Sequence, residues 1–478
     1  MGFEDVIISG LYLAILSSYD ACGRLVRLST TRDFMIHTPF YADILIHADW
    51  IAPVDDTTSL LFDHSLALRE GRIAALIPTP AARRDWRAGE IVELPGHLLI
   101  PGLVNAHTHA AMTLLRGIAD DLPLKEWLQQ HIWPAEAHWV GQDFVTDGSR
   151  LAIAEMLRGG VTCFNDMYFF PDATAEAAND AGIRAVVGLI AIDFPTAWAV
   201  SPQEYLDKGL ALRERLAHHP TLHAAWAPHA PYTVSDALLT EIRELAERCN
   251  LPIHIHVHET ASEVAESMDR YGRRPLARLR DLGLLSNRLI AVHMTQLNPD
   301  EIDELASVGA QVVHCPESNL KLASGLCPVA RLAETGVNVA LGTDGAASNN
   351  DLDLLGEMRT AALMGKFAAQ DASALSAASV LRMATRGGAR ALGLEGEIGS
   401  LEPGKAADVV AIDLSLLETQ PVYNPISQLV YAASRRQVRE VWIAGRRVLA
   451  DGRLTTLNEA ALVQNARVWR DRIADRMV

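Results

Sequence analysis

Apolar and polar positions alternate along residues 42–95. Ala42-Asp-Ile-Leu-Ile-His, Ser65-Leu-Ala-Leu, Arg72-Ile-Ala-Ala-Leu-Ile and Ile91-Val-Glu-Leu each read with the period of two expected of half-buried strands, and turn residues such as Gly71-Arg72 separate them. From about residue 98 to 390 the texture changes. Short apolar runs alternate with amphipathic stretches of helical period, such as Phe144–Leu157 and Asp236–Cys249. Eight runs are strand candidates: Leu103–Ala106, Val161–Asn165, Arg184–Leu189, Leu222–Ala227, Ile253–Val257, Leu289–Val292, Gln311–Val313 and Asn338–Leu341. Eight β/α units predict a closed parallel (β/α)8 barrel of the TIM type. A doubly wound open sheet would carry a glycine-rich phosphate turn after its first strand, and here that place holds His107-Thr-His109.

Strand patterns return after the barrel, in Ala407-Asp-Val-Val-Ala-Ile-Asp and in Val438–Leu449, which the Gly445-Arg446 turn makes a hairpin. Strands at both ends of one barrel predict a small β-sandwich domain assembled from residues 35–97 and 399–455. The barrel then spans 98–398 and a helix 456–478, with Pro101-Gly102 and Pro403-Gly404 as punctuation. Residues 1–34 read as a poorly specified extension. Their apolar run, Val6–Leu16, follows Glu4 and Asp5 rather than basic residues and is too short to span a bilayer.

The chain of 478 residues carries a net charge of −17 without a sustained basic stretch, which argues against nucleic acid or an anionic membrane as partner. Five scattered cysteines with no Cys-x-x-Cys fit a reducing cytoplasm rather than a disulfide framework.

The chemistry gathers where barrel enzymes keep it, at the C-terminal ends of the strands. Strand one ends in His107 and His109, which share a strand face. Strand four gives His229, strand five His254-Ile-His256-Val-His258-Glu259, strand six His293 and strand eight Asp344. Two imidazoles from strand one, one from strand five and the strand-eight carboxylate make a four-ligand site. The ligand types suit one Zn²⁺ or Fe²⁺, and ligand softness alone does not choose between them; zinc is the expected ion. His256 and His258 share a strand face, so spacing alone leaves the strand-five ligand open between them. A second metal would need a bridging group at strand four, typically a carboxylated Lys, and that strand ends Trp226-Ala-Pro-His229. One metal makes water acidic near neutral pH. Asp344 is then placed to take the proton, Glu259 to protonate a ring nitrogen and His293 to hydrogen-bond the developing tetrahedral oxygen.

These stretches together resemble the amidohydrolase superfamily, with its metal-dependent hydrolase barrel. Within it they are similar to the 5'-methylthioadenosine/S-adenosylhomocysteine deaminases. The resemblance rests on Pro101–His109, Trp133-Pro-Ala-Glu136, Pro228-His229-Ala-Pro-Tyr232, His256-Val-His-Glu259, His293-Met, His314–Gly325 and Gly342-Thr-Asp344-Gly-Ala-Ala-Ser-Asn, and covers about residues 42–450. It implies His107, His109, His256 and Asp344 as metal ligands, its His-x-x-Glu spacing choosing His256. It further implies Glu136 on the ribose hydroxyls, His229 on the purine, and Glu259 and Asp344 on the base. The implied reaction is hydrolytic deamination of an adenine nucleoside by a homo-oligomeric enzyme. Glu136 follows Leu124–Trp133, a short helical pattern able to cover the site. Ile192–Val200, after strand three, holds no Arg for a homocysteine carboxylate, which favours a methylthio group. Deaminases of guanine, oxopurine or cytosine and triazine hydrolases share the metal motif and are the alternatives.

Overall fold

The computed structural model describes residues 39–57 and 60–475; the extension expected over residues 1–34 lies outside them. Four strands open the fold: β1 (Phe40–Ile51), β2 (Leu61–Arg69), β3 (Arg72–Pro78) and β4 (Trp86–Pro101). Eight follow with helices between them: β5 (Leu103–Thr108), β6 (Val161–Asp166), β7 (Arg184–Ala191), β8 (Leu222–Pro228), β9 (Ile253–Val257), β10 (Leu289–His293), β11 (Gln311–His314) and β12 (Asn338–Leu341). The chain ends with β13 (Val409–Asp413), β14 (Val438–Ile443), β15 (Arg446–Ala450), β16 (Arg453–Leu454) and a helix, Glu459–Ala474.

Strands β5 to β12 pair in sequence order, each parallel to the next. The β5, β6, β7, β9 and β10 side chains are buried throughout, as expected of strands covered on both faces. The barrel closes where the Asp344 amide donates to the His107 carbonyl at 3.1 Å and the Thr343 amide to Asn105 Oδ1 at 3.0 Å. Glycine permits this approach: a Cβ on Gly342 would lie 2.9 Å from the His107 nitrogen. Small interior residues such as Ala106, Cys163, Ala225 and Ala340, with Leu392 and Ile398 beyond β12, belong to one buried apolar cluster. With the barrel filled in this way, chemistry is left to the strand ends.

The other eight strands form one hydrogen-bonded sheet in the order β16-β15-β14-β13-β4-β1-β2-β3, parallel only between β1 and β4. It curls until its parts meet. The Ile73 amide donates to the Lys405 carbonyl and the Ala407 amide to the Gly71 carbonyl, both at 2.9 Å. Ile46, Leu66, Leu99, Val409 and Trp442 share the core enclosed by this fold-over. The apolar run Leu98–Val104, interrupted by Pro101-Gly102, is divided between two sheets. Leu98–Pro101 ends β4 beside β13, and Leu103 begins β5. A Cβ on Gly102, the residue between, would lie 1.9 Å from Thr162 Oγ1, so only glycine fits the join.

Several helices after the strands start on side-chain caps. Ser235 accepts from the Leu238 amide, Thr260 from Glu263, and Asn298 forms a capping box with Glu301. No helix among the described residues is long and apolar enough to cross a membrane. Cys163, Cys249, Cys315 and Cys327 are free thiols.

Candidate active site

Five strand ends converge. His107 Nε2 lies 3.3 Å from Asp344 Oδ1 and 3.2 Å from His256 Nε2, and His109 Nε2 lies 3.2 Å from Asp344 Oδ1. Among the described residues, His107, His109 and Asp344, and likewise His107, His256 and His293, bring their ligand atoms within 4.8 Å of one another. Backbone strain accompanies this: His293 and Asp344 have φ of 74° and 61°, outside the usual range for non-glycine residues.

The opposite nitrogens explain why the Nε2 atoms face inward. His109 Nδ1 is 2.6 Å from the Met167 carbonyl, His256 Nδ1 is 2.6 Å from the His229 carbonyl, and His107 Nδ1 is 2.9 Å from His254 Nε2. A carbonyl can only accept, so the proton is held on Nδ1 and the Nε2 lone pair is left for a ligand. Asp344 is fixed in the same manner. Ser318 and Ser348 donate to its Oδ2 at 2.6 and 2.8 Å, and the Gly345 amide to its Oδ1 at 2.8 Å. The donor set of imidazole nitrogens and one carboxylate oxygen suits a divalent transition ion.

Burial governs the charges. It lowers His107 to about 4 despite Asp344, and pushes His256 well below its usual value and His229 to about 3. Burial also acts to lower His109, but the Asp344 hydrogen bond and charge outweigh it and lift the ring to about 9. The histidines in turn overcome desolvation at Asp344 and hold it well below the carboxylate range. Glu259 is raised to about 8 by burial, with Asp344 adding repulsion, so it carries a proton at neutral pH. Its Oε1 is 3.8 Å from His293 Nε2. Glu263, on the next helical turn, accepts from the Glu259 and His258 amides at 2.6 and 3.1 Å and anchors this corner.

A cavity of about 470 Å³ opens over the cluster. His109, His229, His256, Glu259, His293 and Asp344 line its floor; Glu136 faces it from the side. Glu136 is raised to about 7 by burial, opposed by the Tyr168 hydroxyl. The roof is one helical segment, Leu124–Trp139, longer than the pattern Leu124–Trp133 suggests. Its middle turn, Trp127–Ile132, is a π-helix, which inserts one residue. The cavity-lining positions therefore step from Leu128 to Trp133, five apart, and then to Glu136 and Ala137. Phe194, Pro195, Thr196 and Ala197 line the far wall, whereas Val200 of the same loop is 72% exposed and outside it. Among the described residues, no Lys or Arg lines the cavity.

His258 leaves the cluster. At φ 55° it turns away and its Nε2 accepts from the Leu276 amide at 3.0 Å, so of the two strand-five candidates His256 is the one at the site. Ser318, Ser348 and Asn319, which is 2.9 Å from His293 Nδ1, have no expected role in the sequence. They stand in the His314–Gly325 and Gly342–Asn349 stretches, where their spacing to Asp344 and His293 only appears after folding.

Residues 98–448 match the amidohydrolase family. A 5-methylthioadenosine/S-adenosylhomocysteine deaminase from Teredinibacter turnerae is 52% identical over 431 residues, 90% of this chain and 98% of that protein. The crystal structure of an adenosine deaminase from Xanthomonas campestris with bound zinc superposes with a TM-score of 0.91 at 55% identity, covering 91% of this chain and all of that one. A zinc-bound atrazine chlorohydrolase from Arthrobacter aurescens gives 0.84 at 27% identity, over 89% and 99% of the two chains.

Proposed function

The chain belongs to the amidohydrolase family, and from that premise we propose that it hydrolytically deaminates adenine nucleosides at C6, 5'-methylthioadenosine and adenosine ahead of S-adenosylhomocysteine. One observation carries the reading: a single cavity joins the His/Asp cluster, a proton-bearing Glu259 and the Glu136 carboxylate, within walls to which the described residues bring no Lys or Arg.

His107, His109, His256 and Asp344 would hold one divalent ion, zinc before iron(II). Such an ion supplies Lewis acidity that makes water a usable nucleophile near neutral pH. Water adds to C6 while its proton passes to Asp344, and Glu259 gives its proton to N1. His293 accepts a hydrogen bond from the new C6 hydroxyl. Asp344 then returns its proton to the amino nitrogen, ammonia leaves, and the hydroxyl proton goes to Glu259 as the carbonyl forms. His229 contacts the purine. Glu136 accepts from the ribose hydroxyls, a charge-assisted pair of bonds. Phe194, Pro195 and Ala197 suit an apolar 5' substituent, while a homocysteine carboxylate would meet no Lys or Arg among the described residues.

Ammonia release from a panel of adenine nucleosides and free bases tests this. Methylthioadenosine is expected first among them. Guanine or cytosine turning over faster than every adenine nucleoside would refute the assignment.

A further inference from the structure

Two of the three imidazoles that face the candidate metal point are held from behind by main-chain carbonyls, but His107 is held by another side chain. Its Nδ1 lies 2.9 Å from Nε2 of His254, with the ring centroids 4.9 Å apart and the planes at 76°. His254 stands two residues before His256 on β9, one inward position deeper in the barrel, and is fully buried. For His107 Nε2 to offer its lone pair, the His107 proton must sit on Nδ1 and be donated to His254 Nε2. The His254 proton is then on its own Nδ1, which is buried and has no hydrogen-bond partner among the described residues. Buried donors are nearly always paired, and an aliphatic residue here would leave none unmet. Packing gives no reason for an imidazole at this position; the bond to His107 does.

We propose that His254 is a positioning residue for the metal site, accepting from His107 Nδ1 and thereby locking the tautomer and direction of the His107 ring. The inference rests on the metal assignment made above. It also sets His107 apart from His109 and His256, whose carbonyl partners no side-chain substitution can remove.

The test compares His254→Leu, which cannot accept, with His254→Gln, whose Oε1 can. Zn²⁺ and Co²⁺ affinities are measured on the full chain by competition with a chromophoric chelator, alongside visible absorption of the Co²⁺ form and thermal unfolding of the metal-free form. His254→Leu is expected to bind metal about 10- to 100-fold more weakly, the usual scale for an outer partner of a ligand, and to change the Co²⁺ spectrum. His254→Gln should restore most of both. Parental affinity and spectrum in His254→Leu would overturn the proposal. So would equal loss in the two variants, which marks a packing role. If His254→Leu does not fold, His254→Met takes its place with the same outcomes. His107→Ala is the separate control: full metal affinity there would refute the metal assignment itself.

Discussion

Asp344 Oδ1 faces His107 and His109 while Oδ2 is taken by two serines, so this one side chain orders the cluster. Without metal, its charge keeps a proton on His109 up to pH about 9. The stabilisation of that ion pair is full below the ordinary His value near 6.5 and is lost as pH rises through about 9. A metal must displace the same proton. Its apparent affinity should therefore rise about tenfold per pH unit up to about pH 9 and then level off, as read by chelator competition. A flat profile from about pH 6 to 8 would contradict a protonated His109. Glu259→Gln should keep the metal and lose at least about 10²-fold in rate, with the loss of any alkaline limb near pH 8. Metal lost along with activity would instead place Glu259 among the ligands. His107, His109 and Asp344 were legible because a strand's period of two and strand-end placement act locally. Ser318 on Asp344 was not, since it stands 26 residues away and meets it only through the barrel.

At the scale of elements, the segment Leu124–Trp139 shows how a roof is built and why its pattern misleads. The inserted residue at Trp127–Ile132 breaks the 3.6 period, so the pattern stops at Trp133 while the helix continues past Glu136. The same turn carries Trp127 and Leu128 as well as Trp133 and Glu136 to the cavity. Removing a charged hydrogen-bonding group of this kind costs roughly 1.5–3 kcal/mol, which is about 10- to 150-fold in kcat/KM at 1.36 kcal/mol per tenfold. Glu136→Ala should weaken nucleosides by that order and leave free adenine nearly unchanged. Unaltered nucleoside kinetics would remove Glu136 from ribose recognition. The barrel strands themselves were readable to within about two residues, because each is an apolar run ended by a polar residue. The helix Thr79–Asp85 was not, because it is short and its Thr-Pro-Ala-Ala-Arg-Arg composition carries no apolar period.

At the scale of the described fold, Arg184 of β7 and Asp408 before β13 tie the barrel to the sheet. Their side chains are 3% and 2% exposed, the two groups meet at 3.1 and 3.2 Å, and Asp408 also accepts from the Ala444 amide. Removing one partner of such a pair strands a buried charge, at about 3–5 kcal/mol. Arg184→Met should lower stability by that amount in urea denaturation while leaving kcat at low temperature near its parental value. A loss under about 1 kcal/mol would show that the pair is not what joins sheet to barrel. That strands at both ends share one sheet could be inferred from their alternation; that Leu98–Pro101 ends the sheet is marked only by Pro101-Gly102, since the apolar residues on either side are alike. The pairing of β4 with β13 also has a cost in time. Pro101 and Val409 are partners, so 308 residues separate the two edges (409 − 101). At about 5–20 residues per second on the ribosome, the edge of β4 emerges roughly 15–60 s before its partner exists. An unpaired edge is a template for other chains, so the newborn protein carries an aggregation-prone edge throughout the synthesis of its barrel, until β13 arrives.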